Sequence, residues 1–536
     1  MALFDRLFRK SAPSAPMQRG KAGAAYFRHE RSPVFFDWNP VLRDSREDVR
    51  DAWWRGAART IDMIHNAGWI AGVVNKGCAS ILGNGLRLAF KPDYGALGWD
   101  DKATQLWARE VERRWELWSS SPIECDASGK LDVHQMAKAA TRSYFGLGEW
   151  VAWMKWIDRP ESLTGTKIQL IPAHRLVQQS NGVDLYQGVR IDKNGMPIAY
   201  QFRFAEPIIE SGQITEILAR VANNRTVIKH CFDGDIGQMR GISPFAPVLQ
   251  TLRQYDQLAN ATLTKSLVQA IFAATVESPS PTQDVLAAFE TPEEQGVGGN
   301  ISDYLNARTE WYDNTKIDLG GMGRIAHLFT GEKLNFLRSD APNSTYEPFA
   351  RFLLREIAAC GGFTFEDVTG DYTGATYSAI KMSTTTNWPI QTWRRTHIAA
   401  PFYQAAFACW LEESIIRGET TLPGDVGDVE VFFAKNRAAL CRAEWRGPGK
   451  PVPDDVKFAA ANETLYKMGV ITGERIAAEL NGEDIEDIYD QLAREKEMRA
   501  ERGLPDPEAT TDQTALKAAM KTEDKPDTSG KGQADG

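Results

Sequence analysis

Paired cysteines are missing from this sequence. Six stand singly, at Cys78, Cys125, Cys231, Cys360, Cys409 and Cys441, and the seven histidines are equally scattered. No CxxC pair and no close Cys/His grouping suggests zinc. That leaves reduced, mostly buried thiols in a cytoplasmic setting as the expectation. Long apolar runs are missing too. The longest, AAPFYQAAFACWL from Ala399 to Leu411, has 13 residues, whereas a bilayer-spanning helix takes about 20. The start, MALFDRLFRK, does not read as a secretory signal, because Asp5, Arg6, Arg9 and Lys10 interrupt its apolar residues. Excess positive charge is the third absence. A net charge of −9 argues against a protein that clamps nucleic acid with a basic surface. It leaves room for an acidic or neutral wall past which a duplex slides.

What remains is an ordinary soluble composition, 43% hydrophobic and 25% charged, in 536 residues, enough for several domains. From Met1 to Arg31 there are seven Lys/Arg against two acidic residues, so this stretch reads as a locally basic docking or mobile arm with KSAPSAP as a flexible break, the alternative being a membrane anchor on the small apolar face of Leu3, Phe4, Leu7 and Phe8. Helical patterns are expected over Ser45 to Gly83, Asp101 to Ser119 and Leu131 to Tyr144. In the second of these, Leu106, Trp107, Val111, Trp115 and Trp118 form the apolar side. From Gly148 to Asp233 the pattern alternates with period two, as in GEWVAWMKWID, and reads as antiparallel β with a hairpin at Asp192 to Gly195.

The stretch GQMRGISPFAPVLQTLRQYDQLANATLTKSLVQAIFA predicts a helix from about Pro244 to about Phe272, capped by Ser243, with proline at its first position. At 1.5 Å per residue it is roughly 40 Å long. Phe245, Val248, Leu249, Leu252, Tyr255, Leu258, Ala259, Leu263, Leu267 and Ile271 keep one face apolar. Arg253, Gln257, Asn260, Thr264 and Lys265 belong to a second, polar face. A strand is expected in FAATVES, and a hairpin turning at Thr330-Gly331 in RIAHLFTGEKLNFL. A second helix follows from Thr345 to Ala359 and ends at Gly361-Gly362. If the two helices pair antiparallel, Ala274 to Asp340 becomes a protrusion on a two-helix stalk. Further on come a Gly/Thr/Asp-rich segment, a helical region to Ile416, charged helices from Pro451 to Arg502, and a polar tail that is expected to be disordered.

Catalytic signals are weak. Ser378 to Lys381 matches S-x-x-K, but no S-D-N or K-T-G accompanies it. Gly320 to Gly323 lacks the GKS/T ending of a phosphate loop, and Gly83 to Gly85 reads as a turn after a helix. Glu366, Asp367 and Asp371 lack calcium-loop spacing and read as a solvated acidic loop. The tryptophans of DAWWRG and RRWELW could stack on bases, but their helical spacing suits a core. No enzyme, metal or cofactor is expected.

The segments RGISPFAPVLQTLRQYDQLANA, LLREIAACGGFTFEDVTGDYTGATYSAIK and AEWRGPGKPVPDDVKFAAANETLYKMGVITGERIAAELNGEDIEDIYDQLAREKEMRAERGLP resemble portal proteins of the lambda type of tailed bacteriophages. NAGWIAGVVNKGCASILGNGLRL looks like the same family, so the resemblance runs from Asp44 to Pro505. The chain carries Lys381 where the family commonly has arginine, which keeps the charge. The resemblance implies an α+β portal fold and a ring of twelve copies at one capsid vertex, packaging and ejecting double-stranded DNA without sequence specificity. It implies a basic N-terminal arm (1–31), a β-rich wing (32–240), a first stem helix (241–272) and a small α/β clip (273–340). A second stem helix (341–361), a tunnel loop (362–378), a tunnel helix with wing return (379–448), a helical crown (449–505) and a tail (506–536) complete it. The DNA channel would be lined by Glu366, Asp367, Asp371, Tyr372, Thr373, Thr376 and Lys381, with Arg253, Gln257, Asn260, Thr264 and Lys265 facing it from the stem. Expected partners are further copies of the chain, the terminase large subunit, a head-tail adaptor or neck protein, and the major capsid and scaffold proteins. The setting is the virion, and the host cytoplasm during assembly. A packaging enzyme should instead carry a Walker motif or carboxylate cluster, and a membrane or secretion channel should carry spanning segments; neither pattern is visible.

Overall fold

The computed structural model describes residues 40–204, 213–221, 226–271, 346–451, 455–480, 482 and 485–504, with short segments at 274–277, 306, 309–310, 316–318, 324–326 and 333–336. The expected N-terminal arm, most of 273–340 with its GGMG stretch, and the C-terminal tail lie outside the described residues.

The helical run expected from Ser45 is two helices, α1 (Ser45–Asn66) and α2 (Gly68–Leu82). Extended backbone at Ala67 (φ −106°, ψ 112°) separates them. Gly68 explains the break, since glycine is about 1 kcal/mol poorer than alanine inside a helix. Gly83 (φ 60°) and Gly85 (φ 132°) then turn the chain into β1 (Arg87–Phe90). The single turn α3 (Tyr94–Leu97) precedes α4 (Asp101–Ser119), whose start is capped by Asp100 accepting the Ala103 N–H at 3.0 Å. Trp107, Val111, Trp115 and Trp118 are buried along α4, as the periodicity requires. Leu106, expected on that side, is 61% exposed because it lies about 100° round the helix from Trp107. After the turn α5 (Pro122–Cys125), α6 (Val133–Leu147) opens on a capping box between Asp132 and Gln135.

The β region is antiparallel throughout its named pairings and forms two sheets. One has the order β3-β2-β8, from β2 (Glu149–Trp156), β3 (Thr166–Ile171) and β8 (Val227–Phe232). The other runs β4-β5-β6-β7, from β4 (Leu185–Tyr186), β5 (Val189–Ile191), β6 (Pro197–Arg203) and β7 (Ile214–Leu218). The expected hairpin joins β5 to β6, with the Gly195 N–H donating to the Asp192 carbonyl at 3.0 Å. Successive strand residues face opposite ways, so the three-stranded sheet is buried on both sides. Trp150, Ala152, Met154 and Cys231 belong to the main helical core. Val151, Ile171 and Ile228 belong to a second core with Trp53 of α1 and Tyr200 and Phe202 of β6.

Helix α7 (Leu249–Ile271) leads into β9 (Ala274–Glu277). The hairpin expected at Thr330-Gly331 does not form. Strand β11 (Arg324–Ala326) pairs with β10 (Lys316–Asp318), while β12 (Lys333–Phe336) pairs with the distant β9. Local turn chemistry suggested a pairing that long-range pairing overrode.

Helix α8 (Tyr346–Gly361) ends with Gly362 at φ 72°, as expected, and the short α9 (Phe365–Thr369) follows. Helix α10 (Tyr377–Arg394) passes through a π-turn (Arg395–Ala399) into α11 (Ala400–Ile416). Pro401 accounts for the irregular turn: lacking an N–H, it leaves the His397 carbonyl without its usual partner. The Cys231 thiol donates there instead (3.2 Å), and the Trp150 indole donates to the Ile398 carbonyl (3.0 Å). The apolar run too short to span a membrane is α11 itself, the central core helix, with Phe402, Tyr403, Phe407, Trp410 and Leu411 buried. Among the described residues no helix is long and apolar enough to cross a membrane.

Helix α12 (Val429–Leu440) precedes β13 (Ala443–Arg446), which returns to pair with β1. The charged helices α13 (Asp455–Lys467), α14 (Gly473–Leu480) and α15 (Ile485–Glu501) close the described chain. The last two dock through ions: Glu474 of α14 meets Lys91 at 2.6 Å and Arg446 at 2.8 Å, and Arg109 of α4 holds Glu486 and Asp490 of α15.

Candidate channel strut and its anchor

The long helix starts later than expected. A 3-10 turn (Ala246–Val248) precedes α7, so the cap bond that Ser243 makes stands ahead of that turn rather than at the first turn of α7. Its hydroxyl donates to the Phe145 carbonyl (2.6 Å) and accepts the Phe245 N–H (3.1 Å), tying the helix entrance to α6. Phe245, Val248 and Leu252 are buried, but from Arg253 to Ser266 no side chain is. Leu263, expected on an apolar face, is 60% exposed. Arg253, Gln257, Asn260, Thr264 and Lys265 are all exposed. Arg253, Gln257, Asn260 and Thr264 share one stripe by their i, i+4, i+7, i+11 spacing. Helix α8 runs antiparallel beside α7: at one end the Cys360 thiol donates to the Pro244 carbonyl (3.2 Å), and towards the other Tyr346 lies near Tyr255.

Below this strut lies a buried knot of charge. Glu149, at the start of β2, and Arg240, just before the long helix, have side chains with no exposure. The Arg240 Nε donates to Glu149 Oε1 at 2.7 Å. Glu149 Oε2 accepts the Gly241 N–H at 2.7 Å and lies 2.9 Å from His230 Nε2 of β8. Arg240 also donates to the carbonyls of Gln187 (3.2 Å) and Ala173 (3.0 Å), and its guanidinium lies 4.2 Å from the centre of the Trp53 ring. Burial alone would raise the Glu149 carboxyl, but Arg240 and His230 overcome it and hold it at about 2. The close approach needs two glycines. A Cβ on Gly148 (φ 86°) would sit 2.1 Å from the Ile242 carbonyl carbon, and one on Gly241 would sit 2.2 Å from the Gly148 carbonyl oxygen. Sequence reasoning missed this knot. The available signal was a carboxylate and a histidine in step with the apolar residues Val151 and Ile228 of their strands.

A second junction ties α10 to both helices behind it. Arg394 is buried over Phe145 and donates to the Gly361 carbonyl (2.6 Å) at the end of α8. Arg395 donates to the carbonyls of Ile81 (2.9 Å) and Ser80 (3.1 Å) at the end of α2. Each cation therefore meets the negative end of a helix dipole. Burial lowers Arg395 to about 10, which leaves it charged.

The residues expected along a tunnel loop are only partly in a loop, because Phe365–Thr369 is helical. Asp367 is used locally: its carboxylate accepts the Thr364 N–H (3.2 Å) in a capping box. Asp371 pairs with Arg351 of α8 at 2.7 Å and accepts the Thr373 N–H at 2.9 Å; the Thr373 bonds, then Arg351, hold its carboxyl below the ordinary range. Thr376 caps α10 by accepting the Ala379 N–H at 3.3 Å. Glu366 is half-buried, while Tyr372, Thr373 and Lys381 are exposed. Ser378 and Lys381 sit in the open on the first turns of α10, without the buried setting of an activated nucleophile. Trp53, Trp115 and Trp118 are core residues, whereas Trp54 is 53% exposed. The six cysteines are free; all are buried except the half-buried Cys360.

Comparison with known proteins names the class to which this arrangement belongs. Residues 32–395 match the family model described as phage portal protein, lambda family. The chain belongs to the lambda family of phage portal proteins. It is 27% identical over 476 residues to the portal protein of Escherichia phage N15, spanning 88% of this chain and 89% of that one. It is 27% identical over 482 residues to portal protein B of Escherichia phage lambda, spanning 88% of each. Among solved structures it is similar to a chain in the neck of an empty gene transfer agent particle computed with C6 symmetry (TM-score 0.42, 14% identity, 78% of this chain and 93% of that one). Another is in the native neck computed with C12 symmetry (TM-score 0.40, 12% identity, 79% and 94%).

Proposed function

We propose that the chain is one subunit of a closed ring of twelve copies, set at a single capsid vertex, through which double-stranded DNA enters during packaging and leaves on ejection. The observation that carries this reading is α7. It is anchored over its first turns, without a buried side chain from Arg253 to Ser266, and braced by an antiparallel partner. A strut of this kind gains its purpose beside copies of itself around a bore wide enough for a duplex roughly 20 Å across. Membership of the portal family supports the same conclusion. In this reading α7 and α8 are the stem and residues 273–340 the clip that docks the terminase large subunit and a head-tail neck protein. The antiparallel sheets form the wing, residues 362–378 the tunnel loop, and α13 to α15 the crown. Capsid and scaffold proteins meet the outer faces. The chain binds DNA without reading sequence and leaves catalysis to its motor partner; assembly takes place in the host cytoplasm and the product is the virion.

The decisive experiment is light scattering with negative-stain imaging of the purified chain. The expected result is a radially symmetric particle near twelve times 59.7 kDa with a central hole. A 60 kDa species alone, at micromolar concentration and moderate salt, overturns the proposal.

A further inference from the structure

Between β8, α11, α12 and β13 the surface opens into a pocket of about 650 Å³. Its floor is the flank of α11 left half-buried at Ala400, Pro401, Ala405 and Ala408, and Trp445 closes one end, its indole donating to Gln404 at 2.9 Å. The charges around it are unevenly satisfied. Arg437 is paired with Glu412 at 2.5 Å, and Glu444 with Lys91 at 3.1 Å. Arg220 and Lys229, which also line it, have no carboxylate partner among the described residues. Two cations without a carboxylate partner among the described residues thus stand over an apolar floor in a chain whose net charge is −9.

We infer that this pocket receives a carboxylate-bearing segment of the neighbouring copy in the ring, with its acid on Arg220 and Lys229 and its aliphatic part on the floor of α11. The inference rests on the ring reading. A closed ring is built from a head-to-tail contact, in which a recess on one flank meets a different feature on the other flank. Charge complementarity selects the occupant: two cations call for carboxylates, and the chain carries 71 Asp/Glu against 62 Lys/Arg. An ion pair formed there is shielded from water by the floor and the Trp445 ring, and gains strength from the lower dielectric.

The test uses full-length chain assembled from equal parts of unlabelled and ¹⁵N-labelled protein. A zero-length carbodiimide then joins lysines to carboxylates in contact, and mass spectrometry reads the label on each half of a cross-link. The expected result is a Lys229 cross-link of mixed label. The double variant R220E/K229E, altered only at side chains outside the core, should lower the ring fraction in sedimentation at least tenfold while leaving the far-UV spectrum unchanged. Ala405→Trp, which fills the floor without touching charge, should do the same. Wild-type rings with no mixed-label Lys229 cross-link, or variant rings as abundant as wild type, overturn the pocket's role and leave the ring standing. A wild-type chain that stays monomeric overturns both.

Discussion

Single residues carry the anchor of the long helix, and Glu149 is the most exposed to test. Its carboxyl is held at about 2 against an ordinary 4.5. A depressed carboxyl stabilises the fold fully above its unfolded value and loses that contribution as pH falls towards the folded value. The difference corresponds to about 3 kcal/mol at neutral pH, eroding between about pH 4.5 and pH 2. Glu149→Gln leaves the Arg240 cation buried without its counter-charge, which costs about 3–5 kcal/mol. Denaturant midpoints across pH should show a large loss for the variant at pH 7 and convergence with wild type near pH 2. A constant gap down to pH 2 would contradict the account. Asp371 and Glu366 are tested differently. Gly370 (φ 68°) and Gly374 (φ 77°) put this segment in conformations suited to glycine. If the carboxylates meet DNA in a bore, the repulsion reaches about 8 Å at physiological salt and centres the duplex. Changing both to lysine should leave rings intact and slow DNA passage, more so at low salt. The Arg351–Asp371 contact supplies the competing outcome, in which the segment merely braces α8 and the variant fails to assemble. Normal packaging by intact variant rings at low salt would show that these side chains do not meet DNA.

At the scale of elements, the junction of β2 with the entrance to α7 is set by backbone clearance. Gly148→Ala meets both a left-handed backbone and the Ile242 backbone at 2.1 Å. The two effects together should destabilise by at least about 2 kcal/mol, seen as a lowered melting temperature, whereas Gly98→Ala, with open space around it, should cost less. An equal effect at the two positions would show that clearance is not the cause. The segment between α7 and α8 gives a second prediction. Deleting Thr282 to Leu337 with a short linker should leave soluble particles that fail to recruit the packaging motor. The motivation is topological, since β9 and β12 pair at the base of the segment and α7 and α8 flank it. Motor binding undiminished by the deletion would remove the clip assignment.

Across the whole molecule, the order of elements was legible in the sequence wherever local patterning decides structure. The α4 boundaries, the antiparallel β region, the Asp192–Gly195 hairpin and the Gly362 stop of α8 follow from periodicity and turn chemistry. Dispersed cysteines likewise anticipated free, mostly buried thiols; that the short apolar run forms the central core helix α11 emerged only from the packing. Family membership was legible from the TGDYTGATYSA and WRGPG stretches, because those sequences are distinctive in order as well as composition. The rest was decided in three dimensions. The pairing of β9 with β12, the Glu149–Arg240–His230 knot and the grip of Arg394 and Arg395 on two helix ends join residues far apart in the chain. A window of sequence shows that a residue is charged or apolar. Whether that charge lies exposed on a strut or is desolvated beneath it depends on which distant backbone arrives beside it, and that is fixed only when the cores close.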